Sequence, residues 1–271
     1  FLVTVGFTPN RLGARGAEIR FKTNDAAVPK ATLVLSGEGE VGDTPGTSQF
    51  LGNLKGIVTV TESIGITQND QADMYKFRTV TDGSVRIVLD GLTANANLLL
   101  ERLSPGGITE RITRSVRPGD SRDVIVTNLP KGSYVVKVIG QDDLVSTNYT
   151  LNIVSDYAGE TPGKGRRVNV LWGTLGPKPY NDYIGPKDRS DYYRFTTTGR
   201  HNLQLKLLNL TDDADIELIN SAFRVVASSK TEGAVEETLS HVIKAGTWYV
   251  RVISAGGGTP YKLTINPRYP V

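Results

Sequence analysis

The chain has 271 residues, 38% of them hydrophobic and 22% charged, a folded-protein composition with room for two or three domains. A net charge of +3 gives no electrostatic case for nucleic acid, and no run approaches a membrane-spanning length of apolar residues. With no cysteine, disulfides, thiolate metal sites and cysteine nucleophiles are excluded together.

Residues 1–41 come first and hold three strand-like runs, FLVTVGFTP, GAEIRFKTND and KATLVLSGEG, with turn residues between them. The opening FLVTVGFTPN has no initiator Met and no signal-peptide pattern, so the chain reads as a processed or excised piece of something longer. Three strands bury one face only against something else, and about 40 residues is too few for a separate sandwich core. This unit is therefore truncated, packed in cis on the neighbouring sandwich, or completed by strands of another chain.

Residues 42–52, GDTPGTSQFLG, read as a linker. Residues 53–154 come next, with the alternating runs SVRIVLDGL, RDVIVTNL, GSYVVKVIG and NYTLNIV. A second linker is expected at 155–167, SDYAGETPGKGRR, and residues 168–271 carry NLQLKLLNL, TWYVRVIS and YKLTINP. The segment KTEGAVEETLSHVIKAG has helical flavour, but Gly233 and its flanks favour an extended reading. The basic stretch RITRSVRPGDSR alternates with apolar residues and marks a solvated strand face. The fold class is all-β: tandem antiparallel sandwiches after an incomplete N-terminal unit.

An internal repeat supports this division. DQADMYKF at 70–77 returns as DRSDYYRF at 188–195, an offset of 118 that also carries Leu92 onto Leu210 and Ala96 onto Ala214. With shifts between strands, Gly132-Ser133-Tyr134 meets Gly246-Thr247-Trp248, and Tyr149, Leu151 and Ile153 meet Tyr261, Leu263 and Ile265. Insertions and deletions fall between strands, as loops allow.

YNDYIGPKDRSDYYRF, DADIEL, AGTWYVRV and TPYKLTIN, in that order, resemble the bacterial pre-peptidase C-terminal domain. NDQADMYKF, ANANLLL, KGSYVVKV and NYTLNI resemble it more weakly in the first copy, so the resemblance covers roughly 75% of the chain. It implies a jelly-roll-type sandwich related in shape to the collagen-binding domains of clostridial collagenases. It further implies a non-catalytic, extracellular or cell-surface role. The Cys-free, Thr-, Gly-, Val- and Asn-rich composition agrees with bacterial secreted and surface proteins. The segment FTPNRLGARGAEIRFKTNDAAVPKATLVLSGEG is similar to the last strands of the abnormal-spindle/hydin type of immunoglobulin-like domain.

Two readings fit the paired aspartates. Asp70 and Asp188 cap turns while Asp73 and Asp191 accept backbone N–H bonds at a strand entrance, or the pairs supply oxygen ligands to Ca²⁺. The calcium reading adds Asp213 and Asp215 from a later loop of the second copy, where the first has only Asn95 and Asn97. The collagen-binding relatives are known for calcium sites. Duplication favours the turn-capping role.

No reaction centre is expected. His201 and His241 are the two histidines, and no His-Glu-x-x-His, Gly-x-Ser-x-Gly or phosphate loop accompanies them. Trp172, Tyr180 and Tyr183 form a candidate binding surface, or else wedge the approach segment against its sandwich. The reading is a non-catalytic secreted or cell-surface structural or adhesive protein, such as a subunit of an extracellular layer or filament assembling with copies of itself through residues 1–41. The alternative is an accessory polysaccharide- or protein-binding module of a larger secreted hydrolase.

Overall fold

The computed structural model describes residues 5, 13–24, 27–39, 41–42, 44–65, 70–107, 109–141, 146–169, 179–186 and 188–268. Its described elements are strands, arranged in five sheets.

The N-terminal pair is β1 (Gly13–Lys22) and β2 (Lys30–Gly39), antiparallel to each other and paired with no other strand among the described residues. The register sets Ala17 opposite Leu35, Ile19 opposite Leu33 and Phe21 opposite Ala31, which gathers six apolar side chains on one face. That face is not sealed: Phe21 and Leu33 both remain exposed. The third expected strand, FLVTVGFTP, lies outside the described residues apart from Val5.

Nine strands build the first sandwich: β3 (Gln49–Asn53), β4 (Gly56–Ile64), β5 (Ala72–Thr79), β6 (Gly83–Asp90), β7 (Ala96–Leu103), β8 (Thr109–Ser115), β9 (Asp123–Leu129), β10 (Gly132–Gly140) and β11 (Thr147–Ser155). They form a β3-β5-β10-β7-β8 sheet over a β4-β11-β6-β9 sheet. The second sandwich uses β12 (Arg166–Arg167), β13 (Pro179–Ile184), β14 (Ser190–Thr197), β15 (His201–Leu208), β16 (Ala214–Ile219), β17 (Val225–Ser229), β18 (Glu237–Ile243), β19 (Gly246–Ser254) and β20 (Thr259–Arg268). Its sheets run β12-β14-β19-β16-β17 and β13-β20-β15-β18, the same order strand for strand. The segment with helical flavour is extended, as read, and supplies β18.

Alternation explains each core. On β5, Asp73, Tyr75 and Phe77 point inward; on β14, Asp191, Tyr193 and Phe195 do the same. Tyr149 and Leu151 of β11, and Tyr261 and Leu263 of β20, meet them from the facing sheets. Close-packed apolar area of this kind is the main stabilising term.

The segments read as linkers do more than connect. Each makes a turn closed by Thr44 O to Thr47 N or Thr161 O to Lys164 N, then adds a short parallel edge strand, β3 on β5 and β12 on β14. Val41, Ala158 and Val168 are buried in the cores they lead into. Periodicity could not reveal β12, which is two residues long.

The sandwiches touch through β13, which lies against β4, β6 and β11. Glycine makes the approach close enough. A side chain on Gly56, whose φ is +97°, would strike the Asn181 carbonyl, and one on Gly185 would strike Ser84.

Candidate cation site at the junction of the two sandwiches

The chain leaves β11 and immediately forms its most acidic interior. Asp156 donates its backbone N–H to Ser84 O of the first sandwich at 2.8 Å, fixing the exit direction, and its carboxylate packs against Gly83. One residue later, Tyr157 N donates to Asp182 Oδ1 of β13 at 2.7 Å. Asp188 sits in the turn between β13 and β14, its N–H bonded to Gly185 O at 3.2 Å, and Asp191 opens the core face of β14. Asp156, Asp188 and Asp191 each offer a carboxylate oxygen, and these oxygens lie within 4.8 Å of one another. All three residues are buried, at 5%, 3% and 0% exposure.

Tyrosines complete the shell. Tyr261 donates to Asp191 Oδ2 at 2.6 Å. Tyr193 has one proton for two acceptors, Asp182 Oδ2 at 2.9 Å and the Tyr261 oxygen at 2.7 Å. Arg166 reaches Asp182 at 3.4 Å and lies over the Tyr157 and Tyr180 rings. Asp191 Oδ1 has no hydrogen-bond partner among the described residues.

The electrostatics follow from this crowding. Burial, then the carboxylates of Asp182 and Asp188, push the Asp191 carboxyl well above its ordinary range. Asp156 rises likewise, by burial first and then by Asp191 and Asp188. Asp182 rises by burial only to about 6, because Tyr157 N–H, the Tyr193 hydroxyl and Arg166 favour its charged form. Three buried carboxyls this close hold either protons or a cation. The donors are all hard oxygens, one converging from each residue, and oxygen is the ligand type that Ca²⁺ takes. With no His or Cys in the group, the donor set does not favour a soft transition metal.

The sequence-predicted residues divide clearly. Asp188 and Asp191 belong to the group; Asp213 and Asp215 do not. Asp215 follows inward-facing Ala214 on β16 and so projects from the outer face, toward Lys230, Glu237 and Glu217. Asp213 lies in the preceding turn, where its carbonyl accepts Ala255 and Gly256 N–H. In the first sandwich Asp70 and Asp73 are equally buried, and Tyr149 donates to Asp73 while bonding Tyr75 at 2.5 Å. The Thr-Pro-Gly turns align Gly42 with Gly159, which sets Gly39 where the second copy has Asp156, so this position brings no third carboxylate. The second aspartate of each pair accepts a tyrosine hydroxyl from the facing sheet, where a backbone N–H was expected.

Tyr180 and Tyr183 are buried, at 6% and 1% exposure, which agrees with the reading that they wedge the approach segment against its sandwich. Tyr180 donates to Asn169 O at 3.2 Å. Trp172 lies outside the described residues. His201 is buried at the head of β15 and His241 half-buried in β18, and neither joins a metal-ligating group among the described residues. Sequence reasoning missed Asp156 and Asp182. The signal for Asp182 was present in YNDYIG, part of the stretch that carries the resemblance, while Asp156 sat in a segment read as linker.

Residues 189–254 match the sequence model of the Bacterial pre-peptidase C-terminal domain. This is the segment from the entrance of β14 to the end of β19. Such domains are non-catalytic modules found in secreted peptidases and other extracellular proteins. No curated protein sequence matches the chain. Among solved structures, the pre-peptidase C-terminal domain of a Bacillus anthracis collagenase is 20% identical, covering 39% of this chain and 92% of its own, with a TM-score of 0.31. The Aeromonas hydrophila periplasmic inhibitor of g-type lysozyme is 17% identical, covering 40% of this chain and 98% of its own, with a TM-score of 0.28. Among the described residues no helix is long and apolar enough to cross a membrane.

Proposed function

We propose that this chain is a non-catalytic structural or adhesive segment of an extracellular protein, with two tandem pre-peptidase C-terminal-type sandwiches stiffened by Ca²⁺ at Asp156, Asp188 and Asp191. The buried carboxylate group carries the reading. Its first member comes from the connection between sandwiches and its other two from the entrance to the second, so a cation held there ties the connection to the module. Identical strand order supports treating the first sandwich as a diverged copy of the second. The unsealed apolar face of β1 and β2 supports an incomplete immunoglobulin-like unit that assembles with further strands, in a layer or filament of like chains. An accessory polysaccharide- or protein-binding module of a larger secreted peptidase is the second reading, favoured by the family matched at 189–254.

The test is thermal unfolding in EGTA and in Ca²⁺. For an extracellular-type dissociation constant of about 0.1 mM, 10 mM Ca²⁺ stabilises by about 2.7 kcal/mol. In a sandwich of about 100 residues that raises the melting temperature by about 11–22 °C. Asp188→Asn with Asp191→Asn is expected to abolish the rise. An unchanged rise in that variant would remove the cation from this site. Light scattering of the chain with and without residues 1–41 tests assembly: a truncation that associates as the full chain does would end that part of the proposal.

A further inference from the structure

A second feature of the junction is an open cleft of about 520 Å³ that Tyr157 and Arg166 help to line. Lys55 and Thr81 of the first sandwich line one wall. Lys164, Arg166, Arg167 and Asn169 of the approach segment line the other, with Tyr157 and Tyr180 between. Among the described residues no acidic side chain lines it. Lys55, Lys164 and Arg167 are exposed, and none of them takes part in an ion pair among the described residues. Arg166 differs. Its guanidinium is held from behind by the fully buried Asp182 carboxylate and stacked beside Tyr157, so its position is fixed before anything binds.

We propose that this cleft binds an acidic polysaccharide through its uronate carboxylates or sulfate esters. Four cationic residues line a concavity within the size range of ligand pockets, and Arg166 among them is a preorganised fork suited to a planar or tetrahedral anion. The remaining lining decides between ligand classes. Among the described residues Val168 is the one aliphatic side chain, and it is buried; the others offer an amide, a threonine hydroxyl and tyrosines. A peptide ligand wants apolar pockets for its side chains or a free strand edge for its backbone. A hydroxyl-rich acidic sugar wants polar partners and cations, which are what line this cleft. Because both sandwiches contribute walls, the site exists only while they stay in register. The proposal uses no ligand of the cation site and is testable without calcium.

The experiment is calorimetric titration of the full chain in EGTA with oligogalacturonate, sulfated dextran, neutral dextran and poly-glutamate. Binding of either acidic saccharide, weakening with added salt and absent for neutral dextran, is expected. The two acidic arms separate carboxylate from sulfate recognition. Lys55→Ala with Lys164→Ala and Arg167→Ala removes three exposed charges and is expected to weaken binding about ten-fold or more. Its melting temperature should stay unchanged, since none of the three is buried. The control removes an equal charge from the solvated β8 region, Arg111→Ala with Arg114→Ala and Arg117→Ala, and is expected to keep wild-type affinity. Equal loss in the control, tighter binding of poly-glutamate, or no binding of either acidic saccharide would overturn the proposal. Failure of the calcium test would leave it standing.

Discussion

Replacing Tyr261 by Phe isolates the device that both sandwiches share. Phenylalanine keeps the ring and its packing on Tyr193, at 6.5 Å between centroids, and removes only the hydroxyl. That hydroxyl donates to Asp191 Oδ2 at 2.6 Å and bonds the Tyr193 oxygen at 2.7 Å, with all three residues buried. Leaving a buried acceptor unsatisfied costs about 1–3 kcal/mol, with no cavity term to add because the ring remains. For a unit of about 100 residues the melting temperature should fall by about 4–24 °C. Differential scanning calorimetry in EGTA reads the change. Tyr149→Phe should produce a loss of the same size in the first sandwich, where the hydroxyl donates to Asp73 and bonds Tyr75. An Asp191→Leu background provides the control: the acceptor is gone, so adding Tyr261→Phe should cost about 0.5 kcal/mol or less. A loss under about 0.5 kcal/mol for Tyr261→Phe alone, or full additivity with Asp191→Leu, would refute this role for the hydroxyl. The tyrosines would then be kept for ring packing.

Two further outcomes are expected. Glu217, buried on the outer face of β16, is raised by desolvation but lowered further by Lys230 at 2.8 Å and by Arg251, so its carboxyl lies below the ordinary value. A depressed carboxyl stabilises the fold above its unfolded pKa and loses that contribution as pH falls through the folded value. Glu217→Gln should therefore flatten the acid limb of the melting temperature between about pH 5 and about pH 3, and a parallel, merely shifted curve would contradict this. Gly56→Ala places a side chain at φ +97° against the Asn181 carbonyl. It should cost about 1–2 kcal/mol in backbone strain and raise protease cleavage at 155–167, whereas wild-type cleavage kinetics would show that the contact does not hold the sandwiches together.

How far the sequence spoke depended on whether a feature repeats. GSYVVKVIG alternates over its whole length and is β10 as read, and the 118-residue offset placed Tyr75 on Tyr193 without any structure. Asp188 and Asp191 could be named because DRSDYYRF echoes DQADMYKF. Asp156 could not, since its place in the first copy is taken by Gly39 and a lone aspartate in a Gly-Pro-rich stretch carries no periodic signal. Asp215 was grouped with the others on the expectation that its loop folds over the pair, yet alternation on β16 turns it to the opposite face of the sheet from Asp191. Tyr180 and Tyr183 looked available for binding because aromatic residues before a domain have no fixed partner in sequence; both are buried, Tyr180 against Tyr193 in the core of the second sandwich.

The same contrast separates folding from function in this molecule. Asp70, Asp73, Tyr75 and Tyr149 recur as Asp188, Asp191, Tyr193 and Tyr261, with the same facing-sheet hydrogen bond, so this set belongs to the architecture of both copies, and in the second copy two of its members also join Asp156. Around it the copies part. Gln49 stands where the second copy has Arg166, and strand register sets Glu62 opposite Tyr149 where Asp182 stands opposite Tyr261. Glu62 is only half-buried and bonds Ser63 N–H, whereas Asp182 is sealed in and collects Tyr157, Tyr183, Tyr193 and Arg166. Burying Asp182 is costly by itself, and packing alone would be served by an apolar residue. Retaining it fixes Arg166 at the cleft and Tyr157 at the connection, both of which lie where one sandwich meets the other. The unrepeated residues thus concentrate at the junction.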